Sequence, residues 1–151
     1  MELTTIIIDY NNRTILGDLD KTYPNYNLYE KLKIPNFLIF PGSERKLLKG
    51  LELGNSGIIS AICNVTAPLA RKVFDDFNNK KKQSENEKLI AVREVFDKYN
   101  LISALHSYMA LKNKNFENLL PPLILLDAKE KKDLINELSN LNFTIDKNIA
   151  A

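Results

Sequence analysis

The stretch that most limits what this chain can fold into runs from Asn36 to Pro68, NFLIFPGSERKLLKGLELGNSGIISAICNVTAP. Phe37 to Phe40 is a short apolar run, as expected of a strand buried on both faces. Pro41-Gly42-Ser43 breaks it. Glu44 to Leu53 carries Leu47, Leu48, Leu51 and Leu53 on roughly one helical face. Gly54 stands where a glycine follows a helix C-terminus. Gly57 to Ile62 is a second buried-strand candidate, and Asn64 to Pro68 turns the chain toward another helix. Strand, helix and strand on short loops form a parallel β-α-β unit, right-handed by default.

The order and spacing of these residues carry a resemblance. The pattern F-x-x-F-x-G-S-E, x-L-L-x-x-L-x-x-G, x-x-G-I-I-S-A, x-x-N-x-x-A-P resembles strand 7, helix 7, strand 8 and the approach to helix 8 of the dihydrodipicolinate synthase / N-acetylneuraminate lyase family. Members of that family are (β/α)8-barrel lyases and aldolases that work through a lysine Schiff base. The resemblance implies an α/β fold: a partial (β/α)8 (TIM) barrel comprising the last three β/α units, followed by a small C-terminal helical bundle. It divides the chain into a partial barrel at 1–78, helix 5 to helix 8, and a helical appendage at 79–151. A closed barrel takes about 250 residues, against 151 here. The resemblance therefore implies that strands 1 to 5 lie outside these residues, with the threonine-rich carboxylate-binding turn and the proton-relaying tyrosine.

Composition removes several alternatives. A net charge of +2 gives no strong call for nucleic acid or an anionic membrane. Lys80-Lys81-Lys82 lacks interleaved aromatics and reads as a solvated run. A single cysteine, Cys63, cannot form an internal disulfide and suits a reducing cytoplasm. No apolar run approaches the roughly 20 residues of a membrane span, and MELTTIIIDYNN lacks the basic region of a signal peptide. A cytoplasmic protein is expected, without nucleic-acid or membrane partners.

Glu2 to Tyr10 reads two ways. Thr4 to Ile8 is β-branched and favours a strand on propensity. The resemblance makes it the end of helix 5, and helix is the expectation taken, since tertiary context overrides propensity. Ile15-Leu16-Gly17-Asp18-Leu19-Asp20-Lys21-Thr22 aligns with strand 6 of the family, and Gly17, Asp20 and Thr22 keep register. The Schiff-base lysine position falls on Leu19. A leucine has no amine to form an imine, so the covalent route is closed there. Lys21 lies two residues on and shares a strand face with Leu19. It is either a displaced Schiff-base lysine or a solvated loop lysine beside Tyr23-Pro24-Asn25.

Asn27 to Lys33 reads as a short helix stopped by Pro35. At a barrel rim, the resemblance implies that Gly42, Ser43 and Ile59 border substrate. The residues alone allow a second assignment, with Gly42 a turn glycine, Ser43 a helix N-cap and Glu44 in the first turn. Ala67 to Phe77 is the helix-8 candidate, its face Leu69, Ala70, Val73, Phe74 and Phe77, with Pro68 in the first turn. Asn78 to Asn86 is a polar linker.

Glu87–Tyr99 and Leu101–Lys112 form two helices broken near Asn100. Pro121 and Pro122 exclude a central strand from Leu119 to Leu126. Asp127 N-caps a last helix reaching about Leu141, with Glu130 completing a capping box. His106, the sole histidine, shares its turn with no ligating or catalytic partner and reads as a packed or half-exposed helix residue. Cys63, with no histidine base near it in sequence, reads as a small apolar filler. No metal and no cofactor is expected. The resemblance implies a pyruvate-like 2-oxo acid as substrate if the chain is active. An open half-barrel leaves unpaired strand edges, so a homo-oligomer or a complementary half-barrel chain is the expected partner.

Overall fold

The computed structural model describes residues 6–8, 14–16 and 38–144. Three short strands form one sheet in the order β1 (Ile6–Ile8), β2 (Thr14–Leu16), β3 (Leu38–Ile39). β2 and β3 are parallel, with Ile15 opposite Leu38 and Leu16 opposite Ile39. β1 runs antiparallel to β2, Ile6 opposite Leu16 and Ile8 opposite Thr14. The helix expected over this first stretch is therefore corrected at residues 6–8. Three successive isoleucines lose χ1 freedom in a helix and fit a pleated strand. The short helix expected at Asn27–Lys33, together with Leu19 and Lys21, lies outside the described residues.

After β3 the chain makes a 3-10 turn at Glu44–Lys46 and enters α1 (Leu47–Glu52). Gly54 follows the C-cap at φ +86°, as its place in the sequence predicts, and its N–H donates to Leu51 O at 3.0 Å. The second strand expected at Gly57–Ile62 is not formed. The segment runs beside β3, with Ser56 N–H donating to Ile39 O at 2.9 Å and Ile59 N–H to Pro41 O at 3.1 Å. The reciprocal bond of a parallel ladder would fall to the N–H of residue 41, and proline has none. Gly57, at φ +148°, departs further from strand geometry in a way that side chains rarely tolerate.

α2 spans Cys63–Asn78, starting four residues before the expected Ala67. The turn at 60–62 seeds it early, because Cys63, Asn64 and Val65 donate their N–H groups to the carbonyls of Ser60, Ala61 and Ile62. Pro68 therefore lies inside the helix rather than in its first turn. The polar linker that follows is tied back to α2: Lys81 N–H donates to Asp76 O, Gln83 Nε2 to Val73 O and Ser84 Oγ to Asp76 Oδ2.

α3 (Asn86–Phe96), α4 (Leu101–Met109) and α5 (Ala128–Asn140) complete the fold. Asn100 caps α4 by accepting from Ser103 N–H, and Asp127 and Glu130 form the expected reciprocal capping box. Leu119 to Leu126 contains no strand.

Two apolar clusters hold these helices together, and α3 contributes to both. Leu89 packs with Leu47, Leu51, Ala70 and Val73. Val92 and Phe96 pack with Ile62, Val65, Leu105, Tyr108, Leu134 and Leu138. Each such fully buried side chain contributes roughly 1.5–3 kcal/mol of transfer free energy. The face of α3 is thereby fixed against α1 and α2 on one side and α4 and α5 on the other, which aims its remaining inward side chain, Arg93, at the turn after β3.

Candidate functional site

Two loops meet beyond the C-terminal end of β3. One is Pro41-Gly42-Ser43; the other is the extended segment 56–60. The Ile59 N–H to Pro41 O bond ties the segment of Ile59 to the turn that carries Gly42 and Ser43. Ser43 is buried in an extended conformation (φ −145°, ψ 138°). It is the N-cap residue of the 3-10 turn, with Glu44 in the first turn, but its side chain makes no capping hydrogen bond; its carbonyl accepts from Lys46 N–H at 3.0 Å. Ile59 is 56 % exposed, a large apolar side chain presented to solvent at this rim.

Beneath the rim lies a polar cluster built on Glu44, whose side chain is fully buried. Ser60 Oγ and Arg93 Nη1 each donate to Glu44 Oε2 at 2.9 Å. On the other carboxylate oxygen, Cys63 Sγ donates at 3.5 Å and Thr66 Oγ1 stands at 3.4 Å. Thr66 Oγ1 also lies 3.0 Å from Ile62 O, so one proton serves two acceptors. Arg93 Nη1 reaches Ser60 Oγ at 3.3 Å and its Nε donates to Asp97 Oδ1 at 2.8 Å. Asp97 in turn pairs with Arg45.

Burying a carboxylate is costly unless it is paired and hydrogen-bonded. Glu44 meets both conditions, with one guanidinium and several hydroxyl or thiol donors. Glu44 stands on the turn after β3, and the residues that satisfy it come from the 56–60 segment, the start of α2, and α3.

The cluster also sets the chemistry of Cys63. Burial, and then the Glu44 charge, push its thiol up to about 12. A thiol held protonated is a poor nucleophile. Cys63 is thus a hydrogen-bonding member of the cluster rather than only the apolar filler expected. His106 Nδ1 donates to Phe116 O at 2.9 Å, and its ring meets Phe116 edge-on at 6.0 Å. It is half-buried on α4, as expected of a packed or half-exposed helix histidine. Among the described residues no group of three or more His, Cys, Asp or Glu side chains is placed to hold a metal.

Arg93 is the site residue that sequence reasoning passed over. A signal was present: four residues after Leu89 and one after Val92, it falls within the inward stripe of its helix, where a charge calls for a partner. Which partner was not readable, because Glu44 lies 49 residues away.

Comparison with known proteins agrees with this architecture. The dihydrodipicolinate synthetase family matches residues 11–141. N-acetylneuraminate lyase of Actinobacillus pleuropneumoniae serotype 5b is 40% identical over 68 residues, which are 44% of this chain and 23% of that protein. Among solved structures, Proteus mirabilis N-acetylneuraminate lyase superposes with a TM-score of 0.67 at 24% identity, covering 80% of this chain and 43% of that one. Dihydrodipicolinate synthase from Cyanidioschyzon merolae, solved with lysine bound, gives 0.70 at 14% identity, covering 85% of this chain and 45% of that one. The chain thus spans less than a quarter of its curated relative and less than half of these solved chains. No described helix is long and apolar enough to cross a membrane. With a family match over most of its length and a fold shared with solved members, the chain belongs to the dihydrodipicolinate synthetase family.

Proposed function

We propose that residues 1–78 supply the last three β/α units of a (β/α)8 barrel, that 79–151 form its helical appendage, and that the rim at Gly42, Ser43 and Ile59 engages a pyruvate-like 2-oxo acid. Family membership supports a lyase or aldolase setting for this rim, and the meeting of the two loops beyond β3 supports a shared binding surface. On this reading these 151 residues bind without forming the covalent intermediate. A homo-oligomer or a complementary half-barrel chain is the partner this reading favours, in the cytoplasm.

The observation that carries the reading is Leu19. Schiff-base formation joins a lysine amine to the carbonyl carbon of the 2-oxo acid and releases water. On the resemblance, the family's lysine position falls on Leu19, which has no amine. Leu19 also favours a second reading, a non-catalytic module for oligomerisation or 2-oxo acid binding. Lys21 is the one candidate for a displaced nucleophile.

Borohydride trapping with pyruvate, read by intact-mass spectrometry, tests this on the wild type and on Lys21→Arg. No adduct is expected on either, under conditions where a family enzyme traps fully. A pyruvyl adduct on the wild type that disappears in Lys21→Arg would overturn the reading and place the nucleophile at Lys21. A clean monomer in sedimentation at micromolar concentration would count against the partner chain.

A further inference from the structure

The appendage meets the candidate site through Arg93, beside the Asp97–Arg45 pair. Arg93 extends from α3 and places Nη1 2.9 Å from Glu44 Oε2 and 3.3 Å from Ser60 Oγ. Glu44 follows Gly42 and Ser43 directly in the chain, and Ser60 follows Ile59. The guanidinium therefore holds the residues adjoining both rim loops. Its own orientation is fixed from behind by Asp97, which accepts from Nε at 2.8 Å. The side chain is 13 % exposed, so little water competes for these bonds, and the planar fork of donors gives direction that a lysine ammonium lacks.

We propose that Arg93 is a positioning residue: by clamping Glu44 and Ser60 together it sets the spacing of the Gly42–Ser43 and Ile59 loops, and so makes ligand engagement at the rim depend on the helical appendage. The dependence on ligand rests on the reading of this rim as a 2-oxo acid site; the control of loop spacing does not. Arg93 bonds Glu44 and Ser60, and its effect on the loops passes through them. Polar clusters of this kind fix one arrangement of the backbone when every member is satisfied.

The test uses the full chain labelled with 15N, comparing wild type with Arg93→Met and Arg93→Lys, and pyruvate as probe. Arg93→Met keeps the stem and removes the donors. The amide resonances of Gly42, Ser43, Ile59 and Ser60 are expected to move or broaden, while those of Leu134 and Leu138 in α5 stay in place. Pyruvate affinity is expected to fall on the order of tenfold, within the range typical of coupling between sites, with partial recovery in Arg93→Lys. Unmoved rim amides in Arg93→Met would overturn the proposal. Moved amides with unchanged pyruvate affinity would reduce Arg93 to a structural tie and overturn it too. A wild type that binds no pyruvate would sink the 2-oxo acid reading instead, and the amide comparison would still decide the control of loop spacing. Should Arg93→Met fail to fold, Glu44→Gln/Arg93→Met removes the stranded charge at the same volume. Displaced rim amides in that double variant are the expected result, and rim amides at their wild-type positions would overturn the proposal.

Discussion

Arg93 Nη1 sits 2.9 Å from Glu44 Oε2, an ion pair between side chains 13 % and 0 % exposed and 49 residues apart. Each partner makes the other's burial tolerable. Breaking a buried pair from one side leaves an uncompensated charge, which typically costs about 3–5 kcal/mol. Arg93→Ala is therefore expected to lose stability of that order in urea unfolding. Adding Glu44→Gln to it removes the stranded charge, so the double variant is expected to be more stable than Arg93→Ala alone. A loss below about 1 kcal/mol in Arg93→Ala, the level of an exposed pair, would show that the two charges are solvated in solution.

Cys63 reports on the same cluster by reactivity. Its thiol is pushed from 9.0 to about 12, chiefly by burial and then by Glu44. Alkylation by iodoacetamide at pH 8 is expected to be far slower than that of a small-molecule thiol, since the thiolate is the nucleophile. Glu44→Gln is expected to speed it, by removing the charge while leaving the burial. The folded state holds this proton more tightly than the unfolded one. The corresponding stability is fully present below pH 9.0 and is lost as the pH rises toward about 12. Free-thiol kinetics at pH 8 in the folded protein would contradict the geometry.

Asp76 gives the opposite sign. Lys72 donates to Oδ1 and Ser84 to Oδ2. The Lys72 hydrogen bond, more than any other contact, draws the carboxyl below its ordinary value of 3.8. A lowered carboxylate stabilises the fold above pH 3.8 and gives that stability up as the pH falls below it. Lys72→Met is expected to flatten the acid limb of a stability profile recorded between pH 5 and pH 2 (a range spanning the ordinary carboxylate pKa). An unchanged acid limb in that variant would assign the acid sensitivity to other groups.

The helices after residue 86 were largely legible from the chain itself. Asp127 with Glu130 three residues later, before Leu134 and Leu138, specified where α5 begins and which face it buries. Asn100 marked the break between two helices and capped the second, although the first ends earlier, at Phe96. These signals are short-range: a side chain and a backbone group within one turn satisfy each other wherever the segment lies. Gly54 was readable for the same reason, since a left-handed residue after a helix is a local requirement.

What failed to read across were the features whose cause lies elsewhere in the fold. Ile58, Ile59 and Ile62 look like strand residues, yet the ladder they would join meets Pro41, which has no N–H to return. Residues 6–8 pair as a strand where the resemblance implied a helix. Pro68 marked a helix start by rule, while the turn at Ser60–Ile62 began that helix at Cys63. Ser43 had the right side chain for a cap and does not use it.

By itself, the sequence determined the helices after residue 86, with their caps and buried stripes. Only the tertiary structure decided that Glu44 is the buried hub, that Cys63 and Ser60 serve it, and that Arg93 is its counter-ion. The physical reason is range. Capping and periodicity are settled within a few residues, whereas the partner of a buried charge is settled by which helix faces pack together, and α3 is locked in place by two apolar clusters at once.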